Sequence, residues 1–151
     1  MIPFGEAEFN RYCLSSLRLE NKVGLVEIRK VIYVEDEPDI RTVVALILST
    51  YDIEVTQFGS GAEAIAKAGD LQPDLILMDL TMAEMDGIES LKRLREISGY
   101  EKIPCVFVTA RIDDQATEDL NGIENASVIR KPFDPGTLVD ELKAVVKEMG
   151  C

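Results

Sequence analysis

The sequence predicts an α/β domain in which a parallel sheet of five strands is doubly wound, with helices on both faces and three layers in all. Short runs of β-branched residues alternate with longer segments of helical periodicity from Val31 onward. Connections of helical length force neighbouring strands to run parallel, and their right-handed sense decides which face each helix covers. A length of 151 residues suits one such domain.

The five strands are predicted from apolar runs at about 31–35, 53–57, 74–79, 103–109 and 127–130. Four of these runs lead directly into polar side chains, which are Glu35 with Asp36, Asp79, Thr109 and Lys131. The carboxyl ends of parallel strands lie along one edge of the sheet, where open α/β sheets bind their ligands. Three carboxylates and one ammonium at this edge suit a divalent cation and a phosphoryl group.

The first helix is predicted over about 38–50, because Pro38 is favoured in a first helical turn. The apolar residues expected on its sheet-facing side are Ile40, Val43, Val44, Ile47 and Leu48. The second helix, about 60–69, is indicated by Ser60 as N-cap and Glu63 three residues later.

The third helix is predicted over about 87–98, with a buried stripe of Ile88, Leu91, Leu94 and Ile97. The fourth, about 113–122, is rich in charged residues and should be short or mobile. The fifth, about 135–149, has an apolar face formed by Leu138, Leu142, Val145 and Met149.

The common solution for five such units is the flavodoxin-like strand order 2-1-3-4-5, which places the switch point between strands 1 and 3. Glu35, Asp36 and Asp79 end these two strands, so they are expected to share one pocket.

Residues 1–30 do not join the alternation and are expected to form an N-terminal extension, partly helical or disordered, before a domain at 31–151. Phe9, Cys13 and Leu17 are spaced for one apolar face of a short helix. A loosely ordered extension, a start upstream of the true domain, and a docking or self-association helix all remain open.

The composition excludes several classes of function. The net charge is −12, which disfavours binding to nucleic acid or anionic lipid. No apolar run reaches the ~18 residues that span a bilayer, and no secretory signal is evident, so we expect a cytoplasmic protein. The chain has no histidine, so any phosphohistidine chemistry must come from a partner.

Five short motifs, in this order, resemble those of the response-regulator receiver domains of two-component signalling, the CheY-like family. They are Glu35-Asp36-Glu37-Pro38, Met78-Asp79-Leu80, Met85-Asp86-Gly87, Val108-Thr109-Ala110 and Lys131-Pro132-Phe133. The resemblance covers about 120 of the 151 residues.

The resemblance implies that Asp79 is a phosphoacceptor and that Thr109 and Lys131 contact the phosphoryl group. It also implies a Mg²⁺ site formed by Glu35, Asp36, Asp79 and the main-chain carbonyl of Thr81. Attack by a carboxylate on an anionic phosphoryl donor is opposed by charge repulsion, which such a cation would cancel. A cis peptide between Lys131 and Pro132 is a further expectation from the family.

The chain departs from the family pattern at two positions that bear on activation. Ala83 stands where a proline usually follows the phosphoacceptor, and Val128 stands where the switch residue is often aromatic. The sequence therefore indicates an intact acceptor site and an altered relay from Thr109. Thr81 and Arg111 occupy the variable positions that line the site in the family and influence the lifetime of the acyl phosphate.

Three other functions are weighed against this one. A Mg²⁺-dependent aspartyl-phosphate phosphatase would place a second aspartate two residues after Asp79, where this chain has Thr81. A flavodoxin would need glycines and hydroxyls in the first loop, which is acidic here. A phosphorylation-independent adaptor would not need the full acidic and lysine set.

The preferred interpretation is a stand-alone response regulator that is not an enzyme. It would accept a phosphoryl group from a histidine kinase or phosphotransfer protein and signal by contact with a downstream protein target. We expect a monomer or weak dimer.

Overall fold

The computed structural model describes residues 27–110 and 114–149, so predictions for residues 1–26, Arg111 and Cys151 lie outside the described residues. Within this part, five parallel strands form one sheet in the order β2-β1-β3-β4-β5. The strands are β1 (Lys30–Val34), β2 (Glu54–Phe58), β3 (Leu75–Met78), β4 (Cys105–Thr109) and β5 (Ala126–Arg130). The predicted strand order and its switch point between β1 and β3 are confirmed.

A helix follows each strand, as the alternating pattern predicts. The helices are α1 (Pro38–Ser49), α2 (Gly61–Lys67), α3 (Gly87–Leu94), α4 (Asp114–Asn121) and α5 (Leu138–Glu148). A 3-10 turn over Ala68–Asp70 extends α2. The fourth helix is short, in agreement with its charged sequence. No helix in the described ranges is long and apolar enough to cross a membrane.

Two apolar cores lie on opposite faces of the sheet, which confirms the three-layer architecture. Alternate residues of each strand contribute to opposite cores, because successive side chains of a strand point to opposite faces. One core joins Ile32 and Val34 to helices α2, α3 and α4. The other joins Val31 and Tyr33 to α1 and α5.

Side chains cap the N-termini of α2 and α3, and the Ser60 cap is the one that the sequence predicts. The Ser60 hydroxyl accepts a hydrogen bond from the amide of Glu63 at 3.1 Å. The Glu63 carboxylate in turn accepts from the Gly59 amide at 2.8 Å. Asp86 accepts from the Glu89 amide at 2.8 Å. The bonds from the Glu63 and Glu89 amides satisfy donors that have no partner within their helices.

The prediction for the buried face of α1 was wrong in one respect. Val43 was expected to face the sheet, but its side chain is 51% exposed. The buried positions of this helix are Val44, Ala45 and Leu48. Because each residue advances the helix by about 100°, a face centred on Val44 and Leu48 leaves Val43 on its outer flank.

Candidate functional site

Backbone hydrogen bonds of the sheet fix the positions of Glu35 and Asp79. The amide of Glu35 donates to the carbonyl of Phe58 at 3.0 Å, and the amide of Asp79 donates to the carbonyl of Val34 at 3.0 Å. Both bonds continue the parallel ladders one residue beyond β1 and β3. The acidic residues therefore begin their loops from fixed backbone positions.

Three carboxylates meet at the carboxyl edge of the sheet. Glu35, Asp36 and Asp79 each offer one oxygen, and these oxygens all lie within 4.8 Å of one another. Glu35 is fully buried and Asp79 is 7% exposed, whereas Asp36 is the more accessible of the three. A set of hard oxygen donors with one side open to solvent suits Mg²⁺, which retains several waters when bound to proteins.

Lys131 forms ion pairs with two carboxylates of this cluster. Its ammonium lies 3.0 Å from a Glu35 oxygen and 3.4 Å from an Asp79 oxygen. The amide of Lys131 also donates to the carbonyl of Thr109 at 2.9 Å, which fixes the lysine beside the end of β4. The peptide bond between Lys131 and Pro132 is cis, as expected.

The charges of this cluster change one another's protonation. Burial raises the pKa of Glu35, the hydrogen bond from Lys131 opposes this effect, and the charge of Asp79 raises the pKa further. Burial tends to lower the pKa of Lys131, but the hydrogen bond to Glu35 and the charge of Asp79 outweigh it and raise the pKa. The lysine therefore stays charged, while Glu35 holds a proton more tightly than a free glutamate does.

The two threonines occupy different surroundings. Thr109 ends β4 and is 1% exposed, whereas Thr81 is exposed in the loop after β3. The amide of Thr81 donates to an Asp79 oxygen at 3.1 Å. The structure thus brings Glu35, Asp36, Asp79 and Lys131 into direct contact range, and it places the two threonines on the adjoining backbone.

The residues of this site lie in a part of the chain that matches a known protein family. Residues 31–143 match the model of the response regulator receiver domain. The chain belongs to this family. The match contains all five motifs and every residue of the acidic cluster.

Curated relatives of this receiver domain include proteins with additional parts. The DNA-binding response regulator MtrA of Mycolicibacterium smegmatis is 30% identical over 118 residues, which are 77% of this chain and 50% of that protein. The response regulator protein VraR of Staphylococcus aureus is 44% identical over 88 residues, 57% of this chain and 41% of the relative. The receiver domain therefore spans half or less of these proteins.

Two solved structures are matched over nearly the whole length of their own chains. The chemotaxis protein CheY4 of Vibrio cholerae is 31% identical and has a TM-score of 0.73, with 78% of this chain and 98% of that one covered. The receiver domain of the sensor histidine kinase PA1611 of Pseudomonas aeruginosa is 26% identical, with a TM-score of 0.69 and 79% and 98% of the two chains covered. That structure has a magnesium ion coordinated in its active site cleft.

Sequence reasoning missed a buried tyrosine below the receiver site. The Tyr33 hydroxyl donates to Glu35 at 3.2 Å, on the same carboxylate oxygen that Lys131 contacts. Burial and the negative charge of Glu35 raise the pKa of Tyr33, so its hydroxyl remains a donor. The alternation of side chains along β1 places positions 33 and 35 on one face, and this was the signal available in the sequence.

Two further contacts hold the acidic loops of the receiver domain. The Arg41 guanidinium donates to the Glu35 carbonyl at 2.7 Å, from the first turns of α1. The Ala83 amide donates to an Asp36 oxygen at 3.2 Å. A proline at position 83 has no N–H and could not make this bond. Nothing in the sequence pattern indicates the Arg41 contact. The sequence does show that Ala83 replaces the proline that is usual in the family.

Gly87 lets α3 approach the end of β3. A β-carbon at this position would lie 2.5 Å from the Asp79 carbonyl oxygen and 2.9 Å from the Phe107 ring. The first residue of α3 therefore lies directly against the backbone of Asp79. A side chain there would have to displace either the helix or the aspartate.

Proposed function

We propose that residues 31–151 form a receiver domain that accepts a phosphoryl group on Asp79, preceded by an extension at residues 1–30. The observation that carries this proposal is the position of Lys131, whose ammonium bridges Glu35 and Asp79 within a cluster of three carboxylates. An ammonium at the nucleophile offsets negative charge on an incoming phosphoryl group.

Glu35, Asp36, Asp79 and the carbonyl of Thr81 would hold Mg²⁺ in this proposal. The bound ion would supply positive charge that offsets the repulsion between the Asp79 carboxylate and an anionic phosphoryl donor. The donor set fits, because three carboxylate oxygens lie within 4.8 Å of one another. The accessible Asp36 leaves room for the waters that Mg²⁺ retains.

The transfer step is a displacement at phosphorus. A carboxylate oxygen of Asp79 forms a bond to phosphorus while the bond between phosphorus and the donor's leaving group breaks. This chain has no histidine, so a phosphohistidine donor has to belong to a partner. A histidine kinase or a phosphotransfer protein fits that requirement.

Lys131 and Thr109 would bind the phosphoryl group after transfer. Lys131 contributes its charge, and Thr109 contributes a hydroxyl from the end of β4. The contact of Thr109 with the new dianion favours one conformation of the loop after β4, and a downstream protein reads that conformation. Val128 lacks the aromatic ring that often accompanies this change in the family, so either activation is weaker or the change takes another route.

Modification of Asp79 is favoured over catalytic turnover. Thr81 occupies the position where aspartyl phosphatases carry a second acid, and its side chain has no carboxyl group to protonate a leaving group. The domain is therefore proposed to be a phosphorylated signalling protein and not an enzyme. A cytoplasmic location and a monomer or weak dimer accord with this role, and the stand-alone form stays a prediction.

Incubation of the full chain with Mg²⁺ and acetyl phosphate tests the acceptor. Intact mass should rise by one phosphoryl group, and neutral hydroxylamine should remove it, as for any acyl phosphate. Asp79→Asn should show no gain. Asp70→Asn is the matched control, because Asp70 is exposed and remote from the cluster in the 3-10 turn.

Two results would contradict the proposal. An equal mass gain in Asp79→Asn would place the acceptor elsewhere. Continuous hydrolysis of simple phosphate esters, without a persistent modified form, would favour the phosphatase.

A further inference from the structure

The outer face of α1 is apolar although it faces away from the sheet. Val43 is 51% exposed and Leu46 is 65% exposed, and Tyr51 just beyond the helix is 48% exposed. These are the exposed large hydrophobic side chains among the residues that the structure describes. Val43 and Leu46 are three residues apart, so they lie on one face of α1 and form a patch instead of the scattered exposure that is normal for a protein surface.

A groove continues this patch toward the carboxyl edge of the sheet. Its volume is about 470 Å³, and it lies between α1 and the loop after β5. Its lining is mainly apolar, from Ile40, Val43, Ala110, Pro132 and Phe133, and also includes the charged Asp39 and Lys131. The groove and the outer face of α1 therefore form one apolar strip, which we call the α1 strip.

The preceding chain enters the domain beside the other end of the α1 strip. Ile28 is buried in the same core as Val44 and Leu48 of α1. The carbonyl of Arg29 accepts a hydrogen bond at 2.7 Å from the amide of Glu54, a few residues after α1 ends. Residues 1–26 thus connect to the domain on the α1 side of the sheet.

We propose that residues 1–26 pack along the α1 strip, with Phe9, Cys13 and Leu17 as the apolar contacts. This inference is independent of phosphorylation at Asp79. The 12 residues of α1 span about 18 Å, whereas 26 residues of chain reach up to about 85 Å, so the segment can cover the strip with residues to spare. An occupant of the groove would lie beside Lys131.

Charge favours this segment over a second copy of the chain. Residues 1–26 contain three acidic and three basic residues, so their net charge is zero, and residues 27–151 therefore carry the whole net charge of −12. Two copies would bring two strongly acidic domains together, which costs electrostatic free energy. The neutral segment approaches the strip without that cost.

A spin label on the segment tests its position in the full chain. Ser15→Cys places the label away from the proposed contact face, in a background of Cys13→Ala and Cys151→Ser. Cys105 remains, because it is completely buried and burial raises its pKa to about 12, which suppresses its reaction with the label. Amide signals of Val43 and Leu46 should lose most of their intensity when the label is paramagnetic.

The control amides lie on the opposite face of the sheet. Glu89 and Lys92 of α3 should keep their intensity, because the sheet separates them from α1. Leu46→Glu should restore the α1 signals by expelling the apolar segment. Thr42→Glu is the matched control, since Thr42 is an exposed residue of the same helix that does not line the groove, and it should leave the signal loss unchanged.

Three outcomes would overturn the inference. Unchanged α1 signals, or equal losses on α1 and α3, would show that the segment has no preferred site on the strip. Losses that persist in Leu46→Glu would place the contact elsewhere. Equal losses in an isotope-labelled protein mixed with a separate spin-labelled protein would identify a second copy as the occupant.

Discussion

At the scale of single residues, the site depends on two donors that share one carboxylate oxygen. Lys131 contacts this Glu35 oxygen at 3.0 Å and Tyr33 at 3.2 Å. A buried carboxylate without donors is costly, because burial disfavours its charged form. The two donors hold the Glu35 carboxylate in place, and the hydrogen bond from Lys131 opposes the effect of burial on its pKa.

Tyr33→Phe removes one of these donors and should weaken both folding and metal binding. Hydrogen bonds to charged groups contribute about 1.5–3 kcal/mol, so we expect a loss of that order in the free energy of unfolding. Urea denaturation with and without Mg²⁺ measures both effects. Tyr100→Phe is the control, because Tyr100 donates to the Ala68 carbonyl at 2.8 Å, remote from the site. Equal Mg²⁺ affinity in both variants would contradict a role for Tyr33 in the site.

The raised pKa of Glu35 makes a prediction about pH. The folded protein binds this proton more tightly than the unfolded chain, so the contribution of Glu35 to stability falls as pH rises from about 4.5 through the raised folded pKa. In the absence of metal, Glu35→Gln should therefore gain stability relative to the unmodified protein across this window. Urea denaturation at a series of pH values measures the difference, and a constant difference would contradict the assignment.

The sequence predicted some residues of the site and missed others. Glu35, Asp36, Asp79 and Lys131 follow apolar strands, so their position was visible in the sequence. Tyr33 lies within an apolar run and resembles an ordinary core residue. Its role appears only when the spacing to Glu35 is combined with the buried geometry.

At the scale of elements, the position of Asp79 depends on how closely α3 packs against β3. Gly87 begins this helix and has no room for a side chain beside the Asp79 carbonyl. A β-carbon there would also lie 2.9 Å from the Phe107 ring of β4. The glycine is therefore required by packing, and the N-terminus of α3 supports the loop after β3.

Gly87→Ala should destabilise the domain by about 1–3 kcal/mol, the usual range for an overpacked site. The same substitution at Gly69 is the control, since a β-carbon there meets no atom within 4 Å. Gly69→Ala should leave stability unchanged or raise it by about 0.4–1 kcal/mol. Thermal or urea denaturation compares the two variants, and similar effects would show that the close approach of α3 is unimportant.

Element types were predictable, whereas several boundaries were not. The third helix was expected to reach residue 98 but ends at Leu94, where Arg95 turns its guanidinium toward the carbonyls of Ile103, Glu124 and Asn125. Ile97 nevertheless packs against the core after the helix has ended. The spacing of apolar residues predicts that Ile97 is buried, but it does not predict the tertiary contacts of Arg95 at the end of the helix.

At the scale of the whole molecule, negative charge dominates the domain, and three carboxylates are concentrated at one edge of its sheet. Self-repulsion within this cluster lowers stability until a cation binds. The topology that concentrates the acids was predictable, because connections of helical length make the strands parallel and the order 2-1-3-4-5 is the common solution for five such units. The course of residues 1–26 was not, because the sequence left three interpretations open.

Mg²⁺ should raise the free energy of unfolding of the whole domain. A ligand at 100 times its dissociation constant adds about 2.7 kcal/mol when it binds the folded state alone. Chelation should reverse the gain, and Asp36→Asn should reduce it. Urea denaturation in MgCl₂ and in NaCl of equal ionic strength measures the specific part, and equal stabilisation by both salts would argue against a defined site.

The phenol of Tyr33 also gives the domain a built-in optical probe. The sequence contains no tryptophan, so near-ultraviolet absorption and emission arise chiefly from its four tyrosines. Tyr33 is the described tyrosine whose hydroxyl bonds to the acidic cluster. Any cation that draws Glu35 away from this hydroxyl changes the environment of the chromophore, so titration of the unlabelled protein can follow occupancy of the pocket by ultraviolet difference spectroscopy.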